Sequence, residues 1–454
     1  MKIKLRSSKR IIFREEEDVG ILFDPDNGRI NVLNETGKFI WSRLGGELTR
    51  EDIIEELSSE FEDPQNGTVG EDYDLFVKNL GQSGFLENYF GSSSVPANVC
   101  LGITSKCNLN CRHCLNRDLP GSGPDMDIRE LEGVIDQMGE GGTKNLSLFG
   151  GEPLCHPDFK RIVERINKYP INISLNTNAS LIDSRTARWL KAHKISGAVV
   201  SFDGSSAAVM DAMRGEGSFE KCLAGIGAMR SEGMSVLLSV TLTKLNHEDA
   251  RSMALLGRKT GGGAIRFNHV FFGGNAACFA KELYLSPEEE DRAIEAVWRL
   301  REEFGDFVSA ESSYLSQKKK LEKVGSYKPA RDKIVVGPCG AANGKCAIRP
   351  DGWVTPCEIM WDVKCGNLRE DSLSDIWAFS EVMNQFRSSL EIDLEDMPEC
   401  IGCSYQYVCF IGHRCYPYYY PGGISDRSMY CRLKGLTSSL RGSPEGTTEA
   451  ISRG

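Results

Sequence analysis

Eleven of the sixteen cysteines in this chain lie in two groups. The first group is Cys107, Cys111 and Cys114, with three and then two residues between neighbours. Thiolates at such spacings are typical ligands of iron–sulfur clusters, and three of them leave the fourth iron of a 4Fe-4S cluster open to bind a further molecule. The second group has eight cysteines, enough to close two more clusters: Cys339, Cys346, Cys357, Cys400, Cys403, Cys409, Cys415 and Cys431.

Two other uses of cysteine fit the spacing less well. A zinc site needs four ligands, and His113 as the fourth would be wedged between two ligand cysteines. A disulfide framework is typical of small secreted domains, whereas more than two hundred residues separate the two groups here. The pattern therefore favours redox chemistry.

The charge of the chain argues against a nucleic-acid partner. The net charge is -10, and residues 1–88 alone hold 11 Lys and Arg against 19 Asp and Glu, a balance of -8. Affinity for nucleic acid comes mainly from neutralising phosphates, so this segment is unsuited to DNA. The first ten residues are polar and basic, and no apolar run approaches the ~20 residues that span a bilayer. We expect a soluble, cytoplasmic protein.

The first ninety residues predict a small α+β domain. Short apolar runs on either side of the turn at Asp26-Asn27-Gly28 indicate a strand meander with a hairpin. Three helical patterns follow, and Thr49-x-x-Asp52 is a capping signal for the second of them. Strands with three short helices predict a winged-helix-like domain.

From Asn98 onward, strand and helix patterns alternate, which indicates parallel βα units. Six units are too few to close an eight-stranded barrel, so the pattern predicts an α/β fold with a partial (β/α)6 TIM-like barrel. Its strands are expected near 99–104, 145–149, 172–176, 198–202, 236–243 and 264–268. The full division predicts a peptide-recognition domain at 1–89, a linker at 90–97, the barrel at 98–305, a helical bridge at 306–338, a Cys-rich domain at 339–435 and a disordered tail at 436–454.

The first cysteine group is similar to the signature of the radical S-adenosylmethionine (radical SAM) superfamily. In that family the residue before the last cysteine is usually aromatic and packs by the adenine, and His113 takes that place here. The resemblance implies that Gly150, Gly151 and Glu152 receive the methionine amine, although this run alone could be only a tight turn.

Further polar residues end the next strands in the order that the family shows. By the same resemblance, Asn176, at the end of the third barrel strand, is one of the cofactor-binding residues. Ser201 and Asp203, at the end of the fourth, contact the ribose. Arg214 resembles an arginine of the peptide-modifying branch that pairs with the methionine carboxylate. The alternatives are an ordinary Asp-Gly turn at Asp203 and a surface loop arginine at Arg214.

The second cysteine group is similar to the SPASM extension of radical SAM enzymes. The resemblance implies two auxiliary clusters. One would be ligated by Cys339, Cys346, Cys357 and Cys415, and the other by Cys400, Cys403, Cys409 and Cys431. The five residues between Cys409 and Cys415 depart from the commoner three, so Cys365 is an alternative ligand. The remaining Cys100, Cys155, Cys222 and Cys278 are expected to be buried small apolar residues.

The N-terminal run Val32 to Trp41 resembles the peptide-recognition domain of ribosomal peptide maturation systems, which has the fold of the small pyrroloquinoline quinone chaperone. Such domains bind a leader peptide at a sheet edge. The resemblances together imply a radical SAM/SPASM enzyme with three 4Fe-4S clusters and S-adenosylmethionine. Its substrate would be a precursor peptide bound through its leader, and a flavodoxin or ferredoxin would supply electrons.

The implied reaction is hydrogen abstraction from an unactivated C–H bond of the precursor, leading to an intramolecular thioether or carbon–carbon cross-link. Two alternatives stay open at this point. One is a related enzyme that acts on a protein side chain, as sulfatase-activating enzymes do, or on a small molecule. The other is a non-catalytic iron–sulfur protein that transfers electrons or senses redox state.

Overall fold

The computed structural model describes residues 11–16, 19–23, 30–44, 48–61, 69–82, 85–86, 95–117, 122–271, 273–310, 333–335, 340–388 and 391–393. The predicted Asn-Gly turn and the linker up to residue 94 lie outside these residues, as does the tail at 436–454. Of the helices in the described part of the chain, none is long and apolar enough to cross a membrane.

The N-terminal segment pairs a small antiparallel sheet with three helices. The sheet has the order β1–β2–β3, with β1 at Ile12–Glu15, β2 at Gly20–Phe23 and β3 at Ile30–Leu33. The helices are α1 (Glu35–Arg43), α2 (Arg50–Glu60) and α3 (Val69–Gln82). The predicted capping signal is confirmed, because the Thr49 hydroxyl and the Asp52 carboxylate each accept from the other residue's backbone N–H.

The six predicted barrel strands are confirmed and lie side by side in one parallel sheet. They are β4 (Asn98–Thr104), β5 (Asn145–Gly150), β6 (Asn172–Thr177), β7 (Ile195–Ser201), β8 (Ser235–Leu242) and β9 (Ala264–His269). The connecting helices are α4 (Ile128–Glu140), α5 (Phe159–Ile166), α6 (Ser184–Ala192), α7 (Ala207–Arg214), α8 (Ser218–Ser231) and α9 (Ala250–Lys259). The chain thus has the α/β fold of a partial barrel.

Short strands extend this sheet at both edges. Beyond β9 the sequence forms α10 (Gly274–Cys278), α11 (Ala280–Leu283), α12 (Pro287–Phe304) and then β10 (Val308–Ala310), which pairs in parallel with β9. Of the described residues of the predicted helical bridge, 306 and 307 end a short 3-10 helix (Gly305–Phe307), and the others form the strands β10 and β11 (Lys333–Val335). At the other edge, β12 (Lys345–Ile348) pairs in parallel with β4 and continues into β13 (Trp353–Thr355) and β14 (Gly366–Asn367).

The strands of the barrel divide their side chains between two faces. Alternate residues such as Leu148, Leu175 and Val200 are buried in the main apolar core under the helices. Their neighbours, including Ser147, Ser174 and Ser201, face the opposite, concave side, which we call the inner face. Since residues i and i+2 share a face, this alternation explains why each barrel strand has one apolar and one largely polar side.

Two C-terminal helices connect the parts of the molecule. Helix α13 spans Leu373–Phe379 and α14 spans Glu381–Ser388, and a last strand, β15 (Glu391–Asp393), pairs with β11. Leu373, Ile376 and Trp377 of α13 are buried in the barrel core, while Phe379 packs against the core of the N-terminal segment. Helix α13 therefore contacts both the barrel and the N-terminal segment.

Candidate active site

The loop that carries the first cysteine group follows β4 at the carboxyl edge of the barrel. Two elements distant in sequence hold its backbone: the Arg112 N–H donates to the Met213 carbonyl at 2.9 Å, and the Asn275 N–H donates to the Cys114 carbonyl at 2.9 Å. The Asn275 side chain also donates to the Cys111 carbonyl at 3.1 Å. Helices α7 and α10 thus position the loop from two sides.

The three thiols are partly or fully buried in this loop, and burial raises the pKa of each of them. The Arg214 guanidinium opposes that shift at Cys111, since its Nη1 lies 3.7 Å from the Cys111 sulfur. Among the described residues, no three His, Cys, Asp or Glu side chains already converge on one metal-binding point. Ligands of a 4Fe-4S cluster bind separate irons, so the cluster itself stands between its thiolates.

Glycines allow the strand after the loop to approach it closely. A Cβ at Gly150 would lie 2.3 Å from the Thr104 carbonyl oxygen, and Gly150 has a φ of +135°. A Cβ at Gly151 would lie 2.3 Å from the Lys106 carbonyl oxygen. Any side chain at these two positions would push the cysteine loop away from β5.

Glu152 is a buried carboxylate directly behind the loop, with 1% of its surface exposed. It accepts from the Thr177 hydroxyl at 2.8 Å, from the Asn178 N–H at 2.8 Å and from the Leu154 N–H at 3.4 Å. Burial raises the pKa of Glu152 despite these donors. A carboxylate has about four lone-pair sites, so one remains to accept from an ammonium group.

A buried ion pair follows the fourth barrel strand. Arg214 Nε donates to Asp203 Oδ2 at 2.5 Å, and the Thr241 N–H donates to the other carboxylate oxygen at 2.7 Å. Burial alone would raise the pKa of Asp203, but the positive charge of Arg214 prevails and holds this pKa well below its usual range. His113 joins the pair, with its Nε2 at 3.1 Å from Asp203 Oδ2. The sequence patterns indicated separate cofactor contacts for these residues and gave no sign of this pairing.

His113 also has an unused polar atom. Its Nδ1 is buried and has no hydrogen-bond partner among the described residues. A buried nitrogen without a partner is costly, so a bound molecule that reaches it gains a hydrogen bond that the protein alone does not make. This nitrogen is available to a molecule that binds beside the cysteine loop.

The other two predicted cofactor contacts lie on the inner face. Asn176, near the end of β6, accepts a hydrogen bond from the Ser147 hydroxyl at 3.3 Å. Ser201 is the last residue of β7 and is half-buried. The structure therefore brings all of the predicted contacts to the inner face or the carboxyl edge of the same barrel.

The second cysteine group is only partly within the described residues. Cys339, Cys400, Cys403, Cys409, Cys415 and Cys431 lie outside them. Cys346 and Cys357 are both buried, on the core side of the sheet edge. Burial raises the pKa of Cys365 to about 12, with a smaller contribution from the charge of the nearby Cys357. Burial also raises the pKa of Cys346, and the charge of Cys365 adds to that shift.

The remaining cysteines follow the sequence prediction in part. Cys100 and Cys222 are buried, as predicted. Cys155 is half-buried and Cys278 is exposed, so the prediction of a buried apolar role was wrong for these two. Cys278 is the last residue of the short helix α10, in which Ala276 is buried but Cys278 itself is exposed.

The residues around the loop fit an iron–sulfur cluster with an open iron and an S-adenosylmethionine bound to it. Three thiols, the glycine cradle, the spare acceptor capacity of Glu152 and the unpaired His113 Nδ1 lie together in one place. The family comparison agrees, since residues 101–256 match the radical SAM superfamily model. Residues 101–256 therefore form a radical SAM domain.

Two further family models match other parts of this radical SAM enzyme. Residues 339–404 match the iron-sulfur cluster-binding SPASM domain, and residues 20–86 match the coenzyme PQQ synthesis protein D family. These matches support S-adenosylmethionine and 4Fe-4S clusters as its cofactors.

Known proteins resemble most of the chain. An AdoMet-dependent heme synthase of Methanosarcina barkeri is 27% identical over 347 residues, covering 75% of this chain and 97% of that protein. The mycofactocin maturase MftC of Mycolicibacterium smegmatis is 24% identical over 321 residues, covering 69% and 78%. The solved structure of SuiB from Streptococcus suis bound to S-adenosylmethionine aligns with a TM-score of 0.59 at 18% identity, covering 94% of this chain and 100% of SuiB.

Proposed function

We propose that this enzyme modifies a ribosomally synthesised precursor peptide by abstracting hydrogen from an unactivated C–H bond. The observation that carries the proposal is the presence in one chain of a PqqD-like segment, a radical SAM barrel and a SPASM region. Two of its relatives support a peptide substrate: MftC is named as a maturase, and SuiB has been solved with the precursor peptide SuiA.

The cofactor site uses the residues that gather at the carboxyl edge of the barrel. Cys107, Cys111 and Cys114 hold the cluster, which with S-adenosylmethionine supplies a 5'-deoxyadenosyl radical. Glu152, with Gly150 and Gly151 allowing close approach, accepts from the methionine amine. The adenine and ribose lie near His113 and Ser201, with Asn176, Asp203 and Arg214 completing the site.

The SPASM region holds two further clusters, with the ligand sets predicted from the sequence. A closed cluster held there would supply an acceptor for the electron that remains after hydrogen abstraction, which favours an oxidative product: an intramolecular thioether or carbon–carbon cross-link. A flavodoxin or ferredoxin supplies the electron that starts each turnover.

A small-molecule substrate is the second candidate, favoured by the similarity to the heme synthase. That match leaves a quarter of this chain uncovered, whereas SuiB aligns over 94% of it. The PqqD-like match at residues 20–86 favours a peptide substrate, because a small substrate has no leader to dock.

Leader docking is expected at the edge strand β3. Ile30 and Val32 on this strand are 64% and 59% exposed, large fractions for apolar side chains. An added peptide strand would pair with the free edge, and the acidic surroundings would favour a leader that carries Lys or Arg. Replacing both residues by Asp should weaken binding of the full precursor by at least about tenfold, measured by anaerobic calorimetry.

A second surface variant provides the control for this docking prediction. Leu255→Asp changes an exposed leucine (45%) on helix α9 of the barrel and should leave precursor affinity unaltered. A version that starts near Ser94 should also bind the precursor weakly while it still cleaves S-adenosylmethionine with dithionite. Unchanged affinity in both the Asp variant and the truncated version would show that the leader is read elsewhere.

The number of clusters is a separate prediction. The eleven proposed cysteine ligands should hold three 4Fe-4S clusters, so we expect about twelve irons and twelve sulfides per chain after anaerobic reconstitution. Quantitative iron and sulfide analysis measures both values directly. A plateau near four of each would rule out the two auxiliary clusters and leave only the cluster of the barrel.

A further inference from the structure

The inner face of the barrel is a polar surface with one unusual residue. Its small uncharged side chains come from β5 to β9: Ser147, Ser174, Asn176, Ser201, Ser239, Thr241 and Asn268. Arg266 on β9 shares this face, because its neighbours Ile265 and Phe267 are buried in the core on the other side. Among the described inward positions of β5 to β9, Arg266 is the one charged side chain.

Strand register places hydroxyl groups in a row with this arginine. Ser201 on β7 is opposite Ser239 on β8, Ser239 is opposite Arg266, and Arg266 is opposite Ser309 on β10. Adjacent strands lie about 4.8 Å apart, so Arg266 begins about 10 Å from the strand of Ser201. The arginine therefore lies across the inner face from the proposed ribose position, within the space that a substrate would occupy.

The Arg266 guanidinium and the Ser239 hydroxyl have no acidic partner among the described residues. Arg266 is exposed, and within the described structure its side chain makes no hydrogen bond or ion pair. The Ser239 oxygen accepts from Asn268 Nδ2 at 2.9 Å, which leaves its own O–H free to donate. Five guanidinium N–H donors beside a free hydroxyl match the two oxygens of a carboxylate.

We propose that Arg266, with Ser239, binds the carboxylate of an Asp or Glu side chain next to the modified residue of the precursor. This inference rests on the proposed peptide substrate and adds a sequence requirement to it. The net charge of the chain is -10, so an unpaired cation on the inner face is best explained by an anionic group of the substrate.

The carboxylate of S-adenosylmethionine is the other source of the same chemistry. Its methionine end belongs at the cysteine loop after β4 and at Glu152 after β5, and Arg266 is on β9, at the opposite side of the strand order. The separation favours the peptide carboxylate, and the cofactor carboxylate becomes an outcome of the test.

The experiment selects binding peptides on the full-length, reconstituted enzyme loaded with S-adenosylmethionine. The mRNA-displayed library keeps the leader of a candidate precursor from a neighbouring gene constant and randomises the core that follows it. Wild-type enzyme should enrich Asp and Glu over Asn and Gln by about tenfold at one position of the bound peptides. Arg266→Glu should lose this enrichment and gain Lys or Arg at the same position. Arg185→Glu, the same change on the exposed side of α6, should keep the wild-type preference.

Three results would overturn the proposal in different ways. Peptides retained without an acidic preference would reject the role of Arg266 and leave a peptide substrate in place. The same acidic preference in the Arg266→Glu enzyme would place the anchor elsewhere. A raised dissociation constant for S-adenosylmethionine in Arg266→Glu would assign the arginine to the cofactor carboxylate. Retention of no peptide at all by the wild type would instead count against the proposed function itself.

Discussion

Replacing Cys107, Cys111 and Cys114 together by alanine should reduce 5'-deoxyadenosine formation to the level of an enzyme-free control. The open-iron cluster has no other cysteine loop to hold it, and reductive cleavage of S-adenosylmethionine requires that cluster. Chromatography of anaerobic dithionite reactions measures the product. Iron content should fall by about four per chain, with the auxiliary clusters retained.

Cys278→Ala is the matched control for this variant. Cys278 is exposed and belongs to none of the three proposed ligand sets, so its loss should change neither iron content nor cofactor cleavage. Cofactor cleavage that survives in the triple variant would refute the assignment of the open-iron site to this loop.

The second large effect concerns the buried pair of Asp203 and Arg214. Asp203 is fully buried and its partner almost so, with 9% of the Arg214 side chain exposed. Asp203→Asn or Arg214→Met leaves one charge without its partner, and each change should lower the free energy of unfolding by about 3–5 kcal/mol. Urea unfolding monitored by fluorescence gives the comparison.

The double variant Asp203→Leu with Arg214→Met separates stability from function. Replacing both partners by apolar residues should restore much of the stability, since no buried charge is left unpaired. Cofactor cleavage should stay low because His113 then lacks the carboxylate beside its Nε2. Single variants that lose less than about 1 kcal/mol would show that the pair is effectively solvated.

The pair also makes a prediction for acid stability. The pKa of Asp203 is lower in the folded protein than its unfolded value of about 3.9. Its contribution to stability is therefore complete above about pH 4 and is lost as the pH falls towards the folded pKa. Between pH 4 and neutrality, Asp203→Asn should reduce stability by a nearly constant amount.

Periodicity and turn signals were sufficient to predict the barrel. The predicted strand at 172–176 corresponds to β6 at Asn172–Thr177, and that at 264–268 to β9 at Ala264–His269. Both strands alternate buried and more exposed residues, and β6 is followed by the amphipathic helix α6, so these elements can be predicted from local sequence. Strands β10 and β12 were missed, because three or four residues carry too little periodicity and their pairing partners are distant in sequence.

The site was predicted as a set of residues but not as a network. The spacing of the cysteines and the Gly150-Gly151-Glu152 run identified the loop and its neighbours, since these patterns are local. The contact of Asp203 with Arg214 and His113 depends on how α7 packs behind the cysteine loop, which no local pattern records. The free guanidinium of Arg266 became apparent only once the strand register showed which side chains share the inner face.

The most direct measurement is the coupling between cofactor cleavage and peptide modification in one reaction. The reconstituted full-length enzyme is incubated anaerobically with a reductant and a candidate precursor from a neighbouring gene, and mass spectrometry follows both products. We predict that the peptide loses the mass of two hydrogen atoms as 5'-deoxyadenosine accumulates, and that both depend on the leader. Accumulation of 5'-deoxyadenosine without any change in peptide mass, together with modification of a small molecule, would contradict the proposed function.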